Sequence, residues 1–140
     1  MTERKYLPTL AELIDRLAIV QLKAIFIPEH KDAYVAEREL ILHDIDLMLA
    51  DPSLGKMTAK DVHAIMVIML SNRYIWENES RARLGGSEQD KLLKLTHSVN
   101  GVRNTAKNIV AAYSAGRKDH KIDCLASDLE PQFGNWNIFS

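Results

Sequence analysis

The sequence predicts an all-α protein, and three observations lead to this class. Apolar residues recur every three or four positions over four long stretches, which is the spacing of an amphipathic helix. No stretch alternates apolar and polar residues for long enough to form a convincing strand. The connections between the four stretches are short, which favours antiparallel neighbours. We therefore predict an antiparallel four-helix bundle over residues 1–116, with an irregular C-terminal tail, residues 117–140, packing on the bundle or on a neighbouring subunit.

The first two predicted helices are separated by Pro28, which cannot continue a helix. The first helix is predicted to begin at Thr9, an N-cap residue with Glu12 three positions on as its capping-box partner. The second runs from about residue 29 to residue 50, and a turn follows over residues 51–55. The apolar positions of the second helix are Tyr34, Ile41, Ile45, Met48 and Leu49.

The third and fourth predicted helices meet at Gly85 and Gly86, which suit a helix C-cap. The third opens at Thr58, a predicted N-cap, and the fourth starts at Ser87. The predicted buried seam of the third helix is Val62, Ile65, Met69, Asn72, Trp76, Glu79 and Arg83. The predicted seam of the fourth helix is Leu92, Leu95, Val99, Val102, Ala106, Ile109 and Tyr113.

Composition and charge restrict the possible functions. The chain has 140 residues and a formal net charge of −1, so we expect no bulk attraction to nucleic acid or to an anionic membrane. Cys124 is the only cysteine, which rules out an internal disulfide and favours a cytoplasmic location. Residues 1–9 are polar and the apolar windows are short, so we expect neither a secretory signal nor a membrane span.

Polar residues on the third and fourth helices form the candidate ligand site. The third helix begins as core and ends with polar side chains around Trp76, and buried polar groups are costly unless they are paired. One interpretation is a pocket in which Trp76 stacks a planar ligand while Asn72 and Arg83 hold its polar groups. The alternative is an internal ion pair between Glu79 and Arg83, which lie four positions apart.

A second polar stripe lies on the fourth helix. It consists of His97, Asn100, Asn104 and Asn108, and asparagine is a poor helix former that a merely solvated face would not favour. This stripe predicts hydrogen bonding to a ligand or to a subunit, with a solvated face as the alternative. Basic residues of the tail can either complement the C-terminal end of the fourth helix or clamp phosphates. The tail residues with this role are Arg117, Lys118, His120 and Lys121, and an aromatic triplet follows at Phe133, Trp136 and Phe139.

Enzyme signatures are incomplete, which favours a non-enzymatic protein without cofactor or metal. The His43-Asp44 doublet resembles the HD phosphohydrolases. That family needs a further histidine well before the doublet and an aspartate well after it, and His30 precedes the doublet by only thirteen residues. A set of carboxylates resembles the magnesium ligands of the all-α nucleoside triphosphate pyrophosphohydrolases, again incompletely. That set is Glu12, Asp15, Glu37, Glu39, Asp44 and Asp46. There is no P-loop, dinucleotide fingerprint or nucleophile triad.

Two resemblances extend this interpretation. The stretch ELIDRLAIVQLKAIF, residues 12–26, with HDID at residues 43–46, is similar to a helical-pair motif of uncharacterised bacterial proteins, although Ala18 stands where serine or threonine is common. The blocks IFIPEH, NRYIWENESRAR and THSVNGVRN resemble small uncharacterised α-helical proteins of T4-like tailed phages. The second resemblance implies a protein that acts by binding, either to a host protein or to a small signalling molecule in host defence.

The predicted function is therefore a non-enzymatic, homo-oligomeric protein of the cytoplasm that binds a small anionic, nucleotide-like ligand to counter host defence. The alternatives are a protein–protein interaction module and a magnesium-dependent nucleotide pyrophosphohydrolase. The predicted ligand-binding residues are Asn72, Trp76, Glu79, Arg81, Arg83, His97, Asn100, Arg103, Asn104, Arg117, Lys118 and Lys121.

Overall fold

The computed structural model describes residues 7–86 and 89–113, and within these ranges the chain is helical apart from its short connections. The four helices are α1, Leu10–Phe26; α2, Lys31–Leu49; α3, Ala59–Arg83; and α4, Gln89–Tyr113. A short 3₁₀ helix, Pro28–His30, joins α1 to α2. The prediction of an all-α protein is confirmed. The predicted C-terminal tail lies outside the described residues.

The helix ends follow the local signals in the sequence. The Thr9 hydroxyl accepts a hydrogen bond from the backbone N–H of Glu12 at 3.2 Å, so Thr9 caps α1 as predicted. Thr58 and Asp61 form a reciprocal capping box at the start of α3, which satisfies backbone donors that have no partner inside the helix. After α3, Gly85 and Gly86 have φ values of 78° and 106°, a backbone region that other residues rarely adopt.

The helices α3 and α4 form a closely packed antiparallel pair. The Tyr113 hydroxyl at the end of α4 donates to the carbonyl of Gly55, just before α3, at 3.0 Å, which sets the two helices in opposite directions. Buried positions on both helices alternate at spacings of three and four, the heptad pattern of coiled-coil packing. These positions are Asp61, Ala64, Ile68, Ser71, Ile75, Asn78 and Ala82 in α3, and Leu92, Leu95, Val99, Val102 and Ala106 in α4.

The predicted seam of α4 is confirmed from Leu92 to Ala106, while Ile109 and Tyr113 are only partly buried. The predicted seam of α3 is displaced. In α3 the buried row lies one residue, or about 100° around the helix, from the predicted row. Of the predicted row only Asn72 is buried, whereas Val62 is 48 % exposed and Arg83 lies at the surface. The first half of α3 is apolar on nearly every side, so its periodicity does not identify the buried face. Small residues such as Ala64 and Ser71 face inward instead, which allows close helix packing.

The helix α1 lies at the centre of the molecule. It packs against α2 on one side and against both α3 and α4 on the other. No Cα atom of α2 lies within 8 Å of a Cα atom of α3 or α4, so α2 is held mainly through α1. Only Ile41 and Ile45 of α2 are buried, and Leu49, one of the apolar positions named for this helix, is 41 % exposed. A groove therefore runs on each side of α1, one towards α3 and one towards α4.

None of the four helices combines the length and the apolar character that crossing a membrane would require, as judged over residues 7–86 and 89–113.

Candidate functional site

The groove between α1, α2 and α4 is polar, and we call it the polar groove. Its volume is about 540 Å³. The helix α1 forms its floor with side chains three or four positions apart, which places them on one face of the helix. Its lining residues are Glu12, Asp15, Arg16, Ile19, Val20 and Lys23 of α1, Glu37 of α2 and Lys107 of α4.

A hydrogen-bonded network connects this groove to the interior. The Asn72 side-chain amide of α3 donates to Asp15 Oδ1 at 2.7 Å, and Lys107 Nζ lies 3.4 Å from Asp15 Oδ2. Arg103 Nη1 of α4 donates to Asn72 Oδ1, also at 2.7 Å. Asn72 is 3 % exposed, so its amide is a buried bridge between a carboxylate and a guanidinium group. Asp15, Asn72, Arg103 and Lys107, which we call the polar network, thus connect α1, α3 and α4.

The polar network carries more positive than negative charge. Asp15 is its one acid, against the two cations Arg103 and Lys107. The Nε atom of Arg103 is buried and has no hydrogen-bond partner. In the groove outside the network, Arg16 and Lys23 balance the charges of Glu12 and Glu37. The lining of the groove is therefore neutral, and Arg103 adds one positive charge behind it. The buried Nε–H of Arg103 lacks an acceptor, and a charged acceptor forms the stronger hydrogen bond with a guanidinium group.

Trp76 lies at a different place, beside the end of α1. Its ring stacks on Phe26 with centroids 6.0 Å apart and planes at 29°. The guanidinium group of Arg73 lies 4.8 Å from the centroid of the same Phe26 ring, a cation–π geometry. Trp76 therefore helps to hold the end of α1 against α3.

The residues predicted to share a pocket with Trp76 do not gather around it. Asn72 bonds to Asp15 and Arg103, as described above. Glu79 and Arg83 pair with each other at 4.0 Å, and their side chains are 49 % and 79 % exposed. The alternative of an ion pair between Glu79 and Arg83 within the helix is thus confirmed. The pair lies at the surface, so it contributes little to stability.

The other predicted ligand residues are spread over α3, α4 and the tail. Arg81 and His97 are exposed, and Asn104 is partly buried. Asn100 is also partly buried, and its Oδ1 atom is enclosed without a hydrogen-bond partner. Arg117, Lys118 and Lys121 lie outside the described residues.

In the predicted antiparallel bundle, the start of the first helix would lie at the opposite end from Asn72, and Asp15 with it. The hydrogen bond between Asn72 and Asp15 shows that this prediction is wrong. Sequence reasoning also assigned no ligand role to Arg16, Lys23 or Lys107. Two signals were available. The polar residues of the segment 12–23 repeat at helical spacing, and Lys107 follows Arg103 by one helical turn.

The carboxylates considered as magnesium ligands are divided between the two sides of α1. Glu12, Asp15 and Glu37 line the polar groove, whereas Glu39 lines the opposite groove. The Nδ1 atom of His43 lies 3.1 Å from Asp44 Oδ1 on the surface of α2. No group of three or more histidine, cysteine or acidic residues in the described part of the chain is placed to hold a metal ion.

No protein-family model, no curated protein and no solved structure matches the chain. The interpretation of the polar groove therefore depends on the geometry and charge of its own residues.

Proposed function

We propose that the protein is a non-enzymatic binding protein whose polar groove takes a small anionic, nucleotide-like ligand. The observation that supports this proposal is the polar network, in which Arg103 adds one positive charge behind a groove of about 540 Å³ that is lined by three further cations and three acids. Pockets of roughly 300–1,000 Å³ are usual for small-molecule ligands. The groove is therefore large enough for a nucleotide.

Each side chain of the groove has a role in this proposal. Arg16, Lys23 and Lys107 contact the phosphate groups of the ligand, because they are the cations that line the groove. Arg103 holds Asn72, Asn72 holds Asp15, and Asp15 in turn positions Lys107 at the groove. The ligand thus lies closer to Asp15 than to Trp76, which differs from the site predicted from the sequence. The basic tail residues Arg117, Lys118 and Lys121 remain predicted phosphate contacts.

Isothermal titration of the full chain with a panel of mono-, di-, tri- and cyclic nucleotides tests the proposal. We expect Arg16→Gln to weaken binding by about 10- to 100-fold, since a charge-assisted hydrogen bond contributes about 1.5–3 kcal/mol. Arg16 is exposed and lies outside the polar network, so this variant should fold normally. Lys94→Met is the matched control, because Lys94 is an exposed cation of α4 that does not line the groove.

The proposal fails if folded protein gives no heat with any member of the panel, or if Lys94→Met weakens binding as much as Arg16→Gln. Release of phosphate or pyrophosphate on adding magnesium with a nucleotide would instead favour the hydrolase. Preferential binding of cyclic nucleotides would support the role in countering host defence that the phage resemblance implies.

A protein–protein interaction module is the second candidate, and exposed apolar side chains favour it. Leu40, Leu47, Met66 and Leu70 are each more than half exposed in the described chain. Large exposed apolar patches commonly mark interaction sites. Sedimentation velocity over a range of concentrations tests self-association and so the predicted homo-oligomer. The antiparallel four-helix bundle predicted from the sequence also remains a proposal. Because α2 packs closely against neither α3 nor α4, a partner that packs on α2 would complete the packing around α1.

A further inference from the structure

The second groove, between α1, α2 and α3, is mainly apolar, and we call it the apolar groove. Its volume is also about 540 Å³, and seven of its ten lining residues are apolar. Leu17 of α1, Leu42 of α2 and Met69 of α3 represent its three walls. Arg38 bonds to Gln21 at 3.2 Å and places a polar contact at its edge. The groove exists because α2 does not reach α3.

The described chain ends at the connection that joins two walls of this groove. Its walls α2 and α3 are joined by the connection over residues 50–58, and the Tyr113 hydroxyl bonds to Gly55 of that connection at 3.0 Å. Residues 114–140 therefore follow a residue whose side chain contacts this connection. Leu42 and Ile65 lie seven or eight helical residues from this connection, which corresponds to about 10–12 Å.

The sequence beyond Tyr113 contains a group that matches such a groove. Phe133, Trp136 and Phe139 follow one another at intervals of three. Nineteen residues separate Tyr113 from Phe133, and nineteen residues span about 28 Å even as a helix and about 60 Å when extended. The aromatic triplet can therefore reach every part of the groove.

We propose that residues 133–139 dock in the apolar groove of their own chain, with their aromatic rings against Leu17, Leu42 and Met69. Three exposed aromatic rings are unfavourable in water, and an apolar groove is the surface that removes them from it. A segment of the same chain also has a higher effective concentration at the groove than a separate partner. This docking does not rest on the ligand proposed above, because the two grooves lie on opposite sides of α1 and have different lining residues.

The fluorescence of Trp136 tests the proposal in the full chain. The sequence has two tryptophans, so Trp76→Phe leaves Trp136 as the only reporter and keeps an aromatic ring against Phe26. In this background we expect short-wavelength emission and weak quenching by acrylamide. Adding Leu42→Arg should shift the emission to longer wavelength and raise the quenching constant severalfold. Leu40→Arg is the control, since Leu40 is 70 % exposed on the same helix and does not line the groove.

Circular dichroism shows whether Leu42→Arg folds. If it does not, Phe133→Ser with Phe139→Ser provides the same test, because these substitutions leave the helices unchanged, and it should release Trp136 equally. The proposal is overturned if Trp136 is already as accessible as in a free peptide of residues 129–140, or if Leu40→Arg and Leu42→Arg act alike. Loss of protection on dilution would overturn it too, because the groove would then be filled by a second copy of the chain.

Discussion

Replacing Asn72 by alanine should lower the stability of the protein strongly, although the change in side-chain volume is small. The reason is that the Asn72 amide joins two charged groups. Asn72 donates to Asp15 and accepts from Arg103, each at 2.7 Å, and is 3 % exposed. A hydrogen bond to a charged group contributes about 1.5–3 kcal/mol. Asp15 keeps Lys107 as a partner and Arg103 is partly exposed, so water recovers some of the loss. We therefore expect the free energy of unfolding to fall by about 2–4 kcal/mol.

Urea denaturation followed by circular dichroism at 222 nm measures this change. The midpoint should fall while the slope with denaturant stays constant, since the surface exposed on unfolding is nearly unchanged. Asn104→Ala is the matched control, because it removes a partly buried asparagine of α4 outside the polar network. Its free energy of unfolding should stay within about 0.5 kcal/mol of the unsubstituted protein.

A double-mutant cycle identifies the interaction itself. Arg103→Met combined with Asn72→Ala should give a coupling energy of about 0.5–3 kcal/mol, as found for residues in direct contact. A coupling energy near zero, or a loss below about 0.5 kcal/mol for Asn72→Ala alone, would refute the reasoning. The polar network would then not be formed in solution.

Two further predictions concern the helix ends. Thr58→Ala should lower the free energy of unfolding by about 1 kcal/mol in the same urea assay, because it removes the cap whose hydroxyl bonds to Asp61 at 2.8 Å; an unchanged midpoint would contradict this. The Ser53 backbone N–H donates to Asp51 Oδ1 at 2.9 Å and lowers the pKa of this carboxyl group. The ionised carboxylate therefore stabilises the folded state at pH values above the pKa that Asp51 has in the unfolded chain. This stabilisation is lost as the pH falls through the lowered pKa of the folded state. Stability measured below about pH 4 should therefore fall less steeply in Asp51→Ala than in the unsubstituted chain, and equal slopes would rule the effect out.

Most of the helical architecture could be predicted from local signals. Thr9, Thr58 and Gly85 act as predicted because capping depends on a few neighbouring residues. The seam of α4 was also predictable, since its apolar residues occupy one face. The seam of α3 was not, because Val62 and Ile68 are equally apolar and only contact with α4 decides which is buried.

The candidate site was less predictable than the fold. Asn72 and Arg103 were identified by their unusual place among apolar residues. Their partners depend on how α1 lies across α3 and α4, and helical periodicity carries no information on that placement. Asp15 was therefore assigned to the wrong end of the bundle, although it lies in contact with Asn72.

The position of α2 has a consequence for both grooves. Leu42 and Glu37 belong to one helix, yet the first faces the apolar groove and the second faces the polar groove. Any displacement of α2 relative to α1 therefore widens or narrows two cavities in a single movement. A molecule that fills either cavity restrains the same helix, so the two occupants share one conformational free energy, and each alters the affinity for the other.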